Sequence, residues 1–165
     1  MSQAYKDKLE KNLAKLDSFD GFLQKDKTAE LVVNIARSVL SKPGDFQSTE
    51  WLLQNGAKLA AYYAYLEGKS NQSRAEAEVA EITHNSVIDG LLLTYTAEGA
   101  KVTEARAQAK QALEESAIDV QVRKQKAGYY NTTARAAEKI VSFIQSTLRN
   151  KESEMRTSPQ IEKGA

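Results

Sequence analysis

Between Val122 and Lys139 the chain reads VRKQKAGYYNTTARAAEK, which sets the adjacent rings of Tyr129 and Tyr130 among five cations, Arg123, Lys124, Lys126, Arg135 and Lys139, with Glu138 as the only acid. Cations that track a phosphate backbone and rings on which bases stack are the two ingredients of single-stranded nucleic-acid binding, each stacked base being worth roughly 1 to 3 kcal/mol. The competing reading is structural. Tyrosines also fill a core or a subunit interface with their hydroxyls reaching water, while Lys and Arg solvate the backs of helices. Neighbours on a helix point about 100° apart, so Tyr129 and Tyr130 cannot both face one partner. One of them is expected to look toward solvent, another subunit or a ligand.

Other chemistry finds less support. Glu81 and His84 have the Glu-x-x-His spacing that helical di-iron sites use in pairs, but the chain has a single histidine, so no metal site is expected and His84 reads as a polar surface residue. The glutamates lie in solvated helical runs with no apolar pocket to raise a pKa toward neutrality. Eight glycines are scattered singly, without a phosphate-cradling loop. With no cysteine there are no disulfides, zinc clusters or thiol nucleophiles. These features predict a protein that is not an enzyme, with no catalytic residue and no cofactor.

The elements that must position the Tyr and cation segment are helical. At 165 residues, 41% hydrophobic and 27% charged, the chain has the makeup of one globular unit. Its net charge of +1 gives nucleic acid no global attraction, so any attraction must come from local patterning. The opening MSQAYKDKLEKNLAKL has no signal-like apolar run, and the apolar patch at Leu91 to Leu93 is far short of a bilayer span. A cytoplasmic location with no membrane contact is expected.

Tyr5, Leu9, Leu13 and Leu16 recur at helical spacing before DSFDGF interrupts them, and Leu31, Ile35 and Val39 form a second stripe that KPGD stops at Lys42 to Asp45. Leu52, Leu59 and Leu66 then sit seven apart. Ser73 and Glu76 fit a capping box, so GKSNQS at Gly68 to Ser73 either ends that helix or kinks it gently. AEGAKVT reverses the chain, with Gly99 as the stop and Thr103 as the expected N-cap of the next helix. From there Leu113, Val120, Ala127, Ala134, Val141 and Leu148 repeat every seven residues, with Tyr130, Ala137 and Ile144 on a row three further on. A helix from Glu104 to Arg149 would be about 70 Å long.

The predicted fold is therefore all-α: a long, coiled-coil-like antiparallel hairpin over 46–155, two short helices within 1–45, and a flexible tail at 156–165. Facing residues of the hairpin should have numbers summing to roughly 199. That register brings Tyr62, Tyr63 and Tyr65 to the level of Tyr129 and Tyr130, together with Lys58, Lys69 and Arg74 on the first arm. These three cations join Arg123, Lys124, Lys126, Tyr129, Tyr130, Arg135 and Lys139 as the candidate DNA-binding set. Toward the turn the first arm is acidic instead, with Glu76, Glu78, Glu81, Asp89 and Glu98, so a neutral total conceals a dipolar rod. Ala127, Ala134 and Ala137 bury little area at about 25 cal/mol per Å², so self-association is expected to cover the remainder. The expected homo-oligomer interface is Leu113, Val120, Val141, Ile144 and Leu148.

The order of KLAAYYAYLEGKSNQSRAEAEVAE, GAKVTEARAQAKQALEE and AAEKIVSFIQSTLRNKESE resembles small phage recombination mediator proteins of the UvsY type, in which a tyrosine-bearing helix, an acidic segment, a short turn, an Ala- and Arg-rich helix and an amphipathic IQS-L stretch follow in that order. The resemblance covers Lys58 to Glu154 and does not extend to the first 45 or so residues. It implies a non-enzymatic helical oligomer that binds single-stranded DNA and helps load a RecA-like recombinase onto strands covered by single-strand-binding protein. It also implies that Arg123, Lys124, Lys126, Arg135 and Lys139 face the DNA. Without the resemblance, a helical protein-interaction module with no nucleic-acid role, an adaptor or inhibitor, stands as the alternative.

Overall fold

The computed structural model describes residues 26–41 and 48–157, together with helical positions 3, 6, 7, 10, 11, 13 and 14. Helix α1 spans Lys27–Ser41, α2 spans Thr49–Ala97, α3 spans Val102–Ala112 and α4 spans Glu114–Thr157. Among the described residues there are no strands, so the all-α expectation holds. The stripe at Tyr5, Leu9 and Leu16, the two interruptions at DSFDGF and KPGD, and most of the C-terminal tail lie outside the described residues, although α4 itself runs on to Thr157.

The hairpin has the expected sense and register. Thr49 meets Lys151 (3.3 Å), Gly56 meets Ile144 and His84 meets Ser116 (3.0 Å), pairs whose numbers sum to about 200 as two equal rises require. On α2 the line Leu52, Leu59, Leu66, Ser70, Ser73 and Ala77 is buried along this seam. Ser73 therefore lies in the interior of one continuous 49-residue helix, about 74 Å long, and caps nothing. Of the two readings of Gly68 to Ser73, the one that ends the helix is overturned.

The reversal is built by Gly99. Its φ of +97° is left-handed, and its N–H donates to Thr96 O while the Ala100 N–H donates to Tyr95 O, the paired bonds of a Schellman stop. The following helix begins two residues earlier than expected. Lys101 is the N-cap residue, with no side-chain capping bond, and Thr103 is inside the first turn. The second arm is also broken where a single helix was expected. Leu113, at φ −115° and ψ 23°, bends the backbone between α3 and α4, and its N–H tightens onto Lys110 O (3.3 Å). Neither proline nor glycine marks that position in the sequence.

Helix α4 is buried on two sides. Tyr130, Ala134, Ala137 and Ile144 line the seam with α2. Tyr129, Thr133, Ala136, Ile140 and Phe143, at alternating spacings of four and three, form a second stripe, and all of it is buried in the same core as Ala29, Val32, Ala36 and Val39 of α1. Asp26 fixes α1 in place. Its Oδ1 accepts the Thr28 and Ala29 N–H groups (2.8 and 3.2 Å), capping the helix, and its Oδ2 accepts the Tyr65 hydroxyl of α2 (2.9 Å). Among the described residues the fold is thus thick at the open end of the hairpin and two helices deep near the turn, where Val79, Ile82, Leu93, Val102 and Ile118 are each more than half exposed.

Two glycines inside α2 separate helix propensity from packing. Gly90 has open space around it, so Gly90→Ala should raise stability by about 1 kcal/mol in chemical denaturation. At Gly56 a new Cβ would stand 3.3 Å from Cγ2 of Ile144, a side chain only 2% exposed, so Gly56→Ala should give no such gain.

Candidate nucleic-acid interface

The two arms form two edges, and the ten residues of the sequence-predicted set divide between and beyond them. On one edge, Tyr63, Glu67, Ser70, Asn71 and Arg74 of α2 face Asn131, Ala134, Arg135, Glu138 and Lys139 of α4 across a cleft of about 580 Å³, with Lys11 at its rim. Arg74 and Asn131 also line the adjoining hollow, together with Glu78, Glu81, Lys124 and Gly128, so the two form one groove along that edge. Four predicted residues, Arg74, Lys124, Arg135 and Lys139, share it. The wide end of the groove holds four cations against two carboxylates, a local excess of positive charge in a chain that is nearly neutral overall.

The groove's cations are not equivalent. Lys124 Nζ lies 2.6 Å from Glu81 Oε1 across the hairpin, an exposed pair that stabilises little. Among the described residues no ion pair engages Arg74, Arg135 or Lys139. Arg123 falls on the opposite edge, lining a hollow with Gln72, Val79 and Thr83, and binds Asp119 at 2.7 Å, which holds its guanidinium pKa above the ordinary value. Lys126 is exposed and sits roughly 200° around the helix from Lys124. Lys69 stands 5.7 Å from the centroid of the Tyr65 ring, a cation–π contact, and Lys58 is an exposed residue elsewhere on α2.

The tyrosine pair has to be corrected. Tyr129 and Tyr130 are 7% and 8% exposed, with ring centroids 5.6 Å apart at 63°, an edge-to-face contact inside the core. Neither ring offers a face to a base in this conformation. Adjacent tyrosines can both be buried because α4 packs against more than one element: α2 runs along its length, and α1, together with Leu13 of the N-terminal segment, shares the core that holds both rings. The second stripe was legible in the spacing from Tyr129 to Phe143. The expected oligomer interface is also largely occupied within the chain. Val120 and Ile144 are buried at 8% and 2%, Val141 and Leu148 pack partly buried against the core, and Leu113 is half-buried at the helix break.

Tyr63 is the ring that the groove does present. It is half-buried, and its hydroxyl donates to Glu67 Oε1 (3.1 Å). Sequence reasoning placed it at the right level but left it out of the site, as it did Lys11, Asn71 and Asn131. Asn71 and Asn131 carry no periodic or charge signal that could have found them. Of the remaining chemistry, Glu81 is held by Lys124 and His84 Nδ1 by Ser116, and no group of three or more metal-ligating side chains occurs among the described residues. No helix among them is long and apolar enough to cross a membrane. No protein-family model, curated protein or solved structure matches this chain.

Three phenols are held protonated. The Tyr63 hydroxyl bonds to Glu67, the Tyr65 hydroxyl bonds to Asp26, and burial acts on Tyr130, each raising the pKa above its usual value near 10. Because the folded state holds these protons more tightly than the unfolded chain, their contribution is fully present below pH 10 and is lost as pH rises beyond it. Ultraviolet titration should show a class of tyrosines ionising later than free tyrosine, with unfolding setting in over the same alkaline range.

Proposed function

We propose that this chain is a non-enzymatic, single-stranded DNA-binding accessory protein of DNA recombination. It acts as a homo-oligomer, and the groove between α2 and α4 holds the strand. The observation that supports this reading most is the convergence of Lys11, Arg74, Arg135 and Lys139 beside the ring of Tyr63, from helices distant in sequence. Phosphates would pass along the cations, and one base would lie against Tyr63. The asparagine amides, which donate and accept, suit sugar and base edges. The resemblance to the mediator family supplies the role: presenting the strand to a RecA-like recombinase in the presence of single-strand-binding protein.

A second reading, a helical adaptor without nucleic-acid binding, draws on the exposed apolar side chains near the turn. The salt dependence of oligo-dT binding separates the two, because each neutralised phosphate contributes about −0.7 to the log–log slope. Replacing Arg74, Arg135 and Lys139 together with alanine should flatten the slope by roughly two units. The same replacement at Lys58, Lys69 and Lys126, which preserves the change in net charge but lies outside the groove, should leave it nearly unchanged. Equal effects of the two triples, or no binding by the unaltered protein, would favour the adaptor. Tyr63→Leu, which keeps apolar bulk but removes the stacking face, should weaken binding by roughly five- to a hundredfold in fluorescence anisotropy.

A further inference from the structure

The outer face of α2, opposite its buried seam, has an unusual composition for a surface. From Leu53 to Leu93 every residue on it is exposed, and Asp89, on its margin, is the only one that ionises. A helix that meets water on one side normally carries charge there. Leu53, Val79, Ile82 and Leu93 are 62%, 64%, 69% and 71% exposed, respectively. The face is graded: its first half is small, with Ala57, Ala61, Ala64 and Gly68, and its second half carries Val79 and Ile82.

We infer that this face binds the same face of a second copy of the chain, with the two α2 helices antiparallel about an axis level with Gln72 to Arg74. Two independent features select that partner and that orientation. The first is shape. Antiparallel pairing sets Ala64 level with Ile82 of the second copy and Gly68 with Val79, so these two large side chains meet small ones, while Leu53 and Leu93 meet each other at the two ends of the face. Parallel pairing would set Val79 and Ile82 against themselves and leave the Ala and Gly half with nothing to fill it. The second is charge. The first half of α2 carries Lys58, Lys69 and Arg74 against Glu50 and Glu67, whereas the stretch from Glu76 to Glu98 has five carboxylates and no Lys or Arg. Reversed pairing places acidic ends beside basic ones and brings Lys69 level with Glu76 of the second copy on the same flank, whereas parallel pairing sets acids against acids.

The face is about 60 Å long and about 10 Å wide, so two copies cover roughly 1,200 Å² in all, the lower end of the range for stable interfaces. The isologous contact closes at two chains. It leaves the groove at Arg74 and Arg135 on a separate edge, so the inference does not depend on the nucleic-acid reading.

Because the chain has no cysteine, introduced thiols report the geometry directly. Leu53→Cys and Leu93→Cys variants, oxidised separately and as an equal mixture, should yield disulfide-linked dimer mainly in the mixture. The like positions of an antiparallel pair are about 60 Å apart. Each variant cross-linking alone as well as the mixture does, or a monomer mass for the unaltered protein by light scattering at tens of micromolar, overturns the inference. Gly68→Gln completes the test, since nothing lies within 4 Å of Gly68 in the single chain and a longer side chain there leaves the helix intact. It should convert the dimer to monomer with unchanged helical circular dichroism, and a dimer that survives this change rules the interface out.

Discussion

The register between α2 and α4 is the constraint on which everything else rests. Leu52, Leu59 and Leu66 are buried on one arm, and Ala134, Ala137 and Ile144 on the other. The close approach at Gly56 leaves room for Ile144 with little to spare. A slide of one helical turn would carry the leucines out of their places against small side chains, move Gly56 off Ile144 and detach Lys151 from Thr49. Because each arm rises by the same amount per residue, fixing the turn at Gly99 fixes every level above it. That is how Arg74 and Arg135, 61 positions apart, come to line one groove.

The same geometry explains why the molecule is unequal along its length. Near the open end α4 is packed on both sides, and its small residues allow α2 and α1 to approach closely. Toward the turn only the two arms remain among the described residues, and the inner seam changes from leucine to Ser70, Ser73, Ala77 and His84. Apolar area buried per residue falls along the rod, and with it the hydrophobic contribution to stability. Local opening should therefore begin near Gly99 and reach the three-helix end last.

Much of this was legible in the sequence, and what was missed has physical causes. The repeat every seven residues, the turn at Gly99 and the level of the tyrosines followed from periodicity and equal rise alone. The break at Leu113 did not, because no residue there has an intrinsic reason to leave the helix. The burial of Tyr129 escaped because one apolar stripe was counted on α4 where there are two, and a helix with two stripes needs two partners. Which cations share an edge also depends on side-chain direction around a helix: Arg123 and Lys124 are adjacent in sequence yet line opposite edges.

Asp26 joins two functions in one carboxylate. One of its oxygens ends the orphaned N–H groups of a 15-residue helix, and the other receives a phenol from the long arm. An isolated helix of that length is marginal in water. α1 therefore cannot leave as a preformed rod. Undocking and unwinding become one cooperative event, in which the packing against the core of α4 and the helix's own starting turn are lost together, and α1 behaves as a latch with two settings and nothing between them.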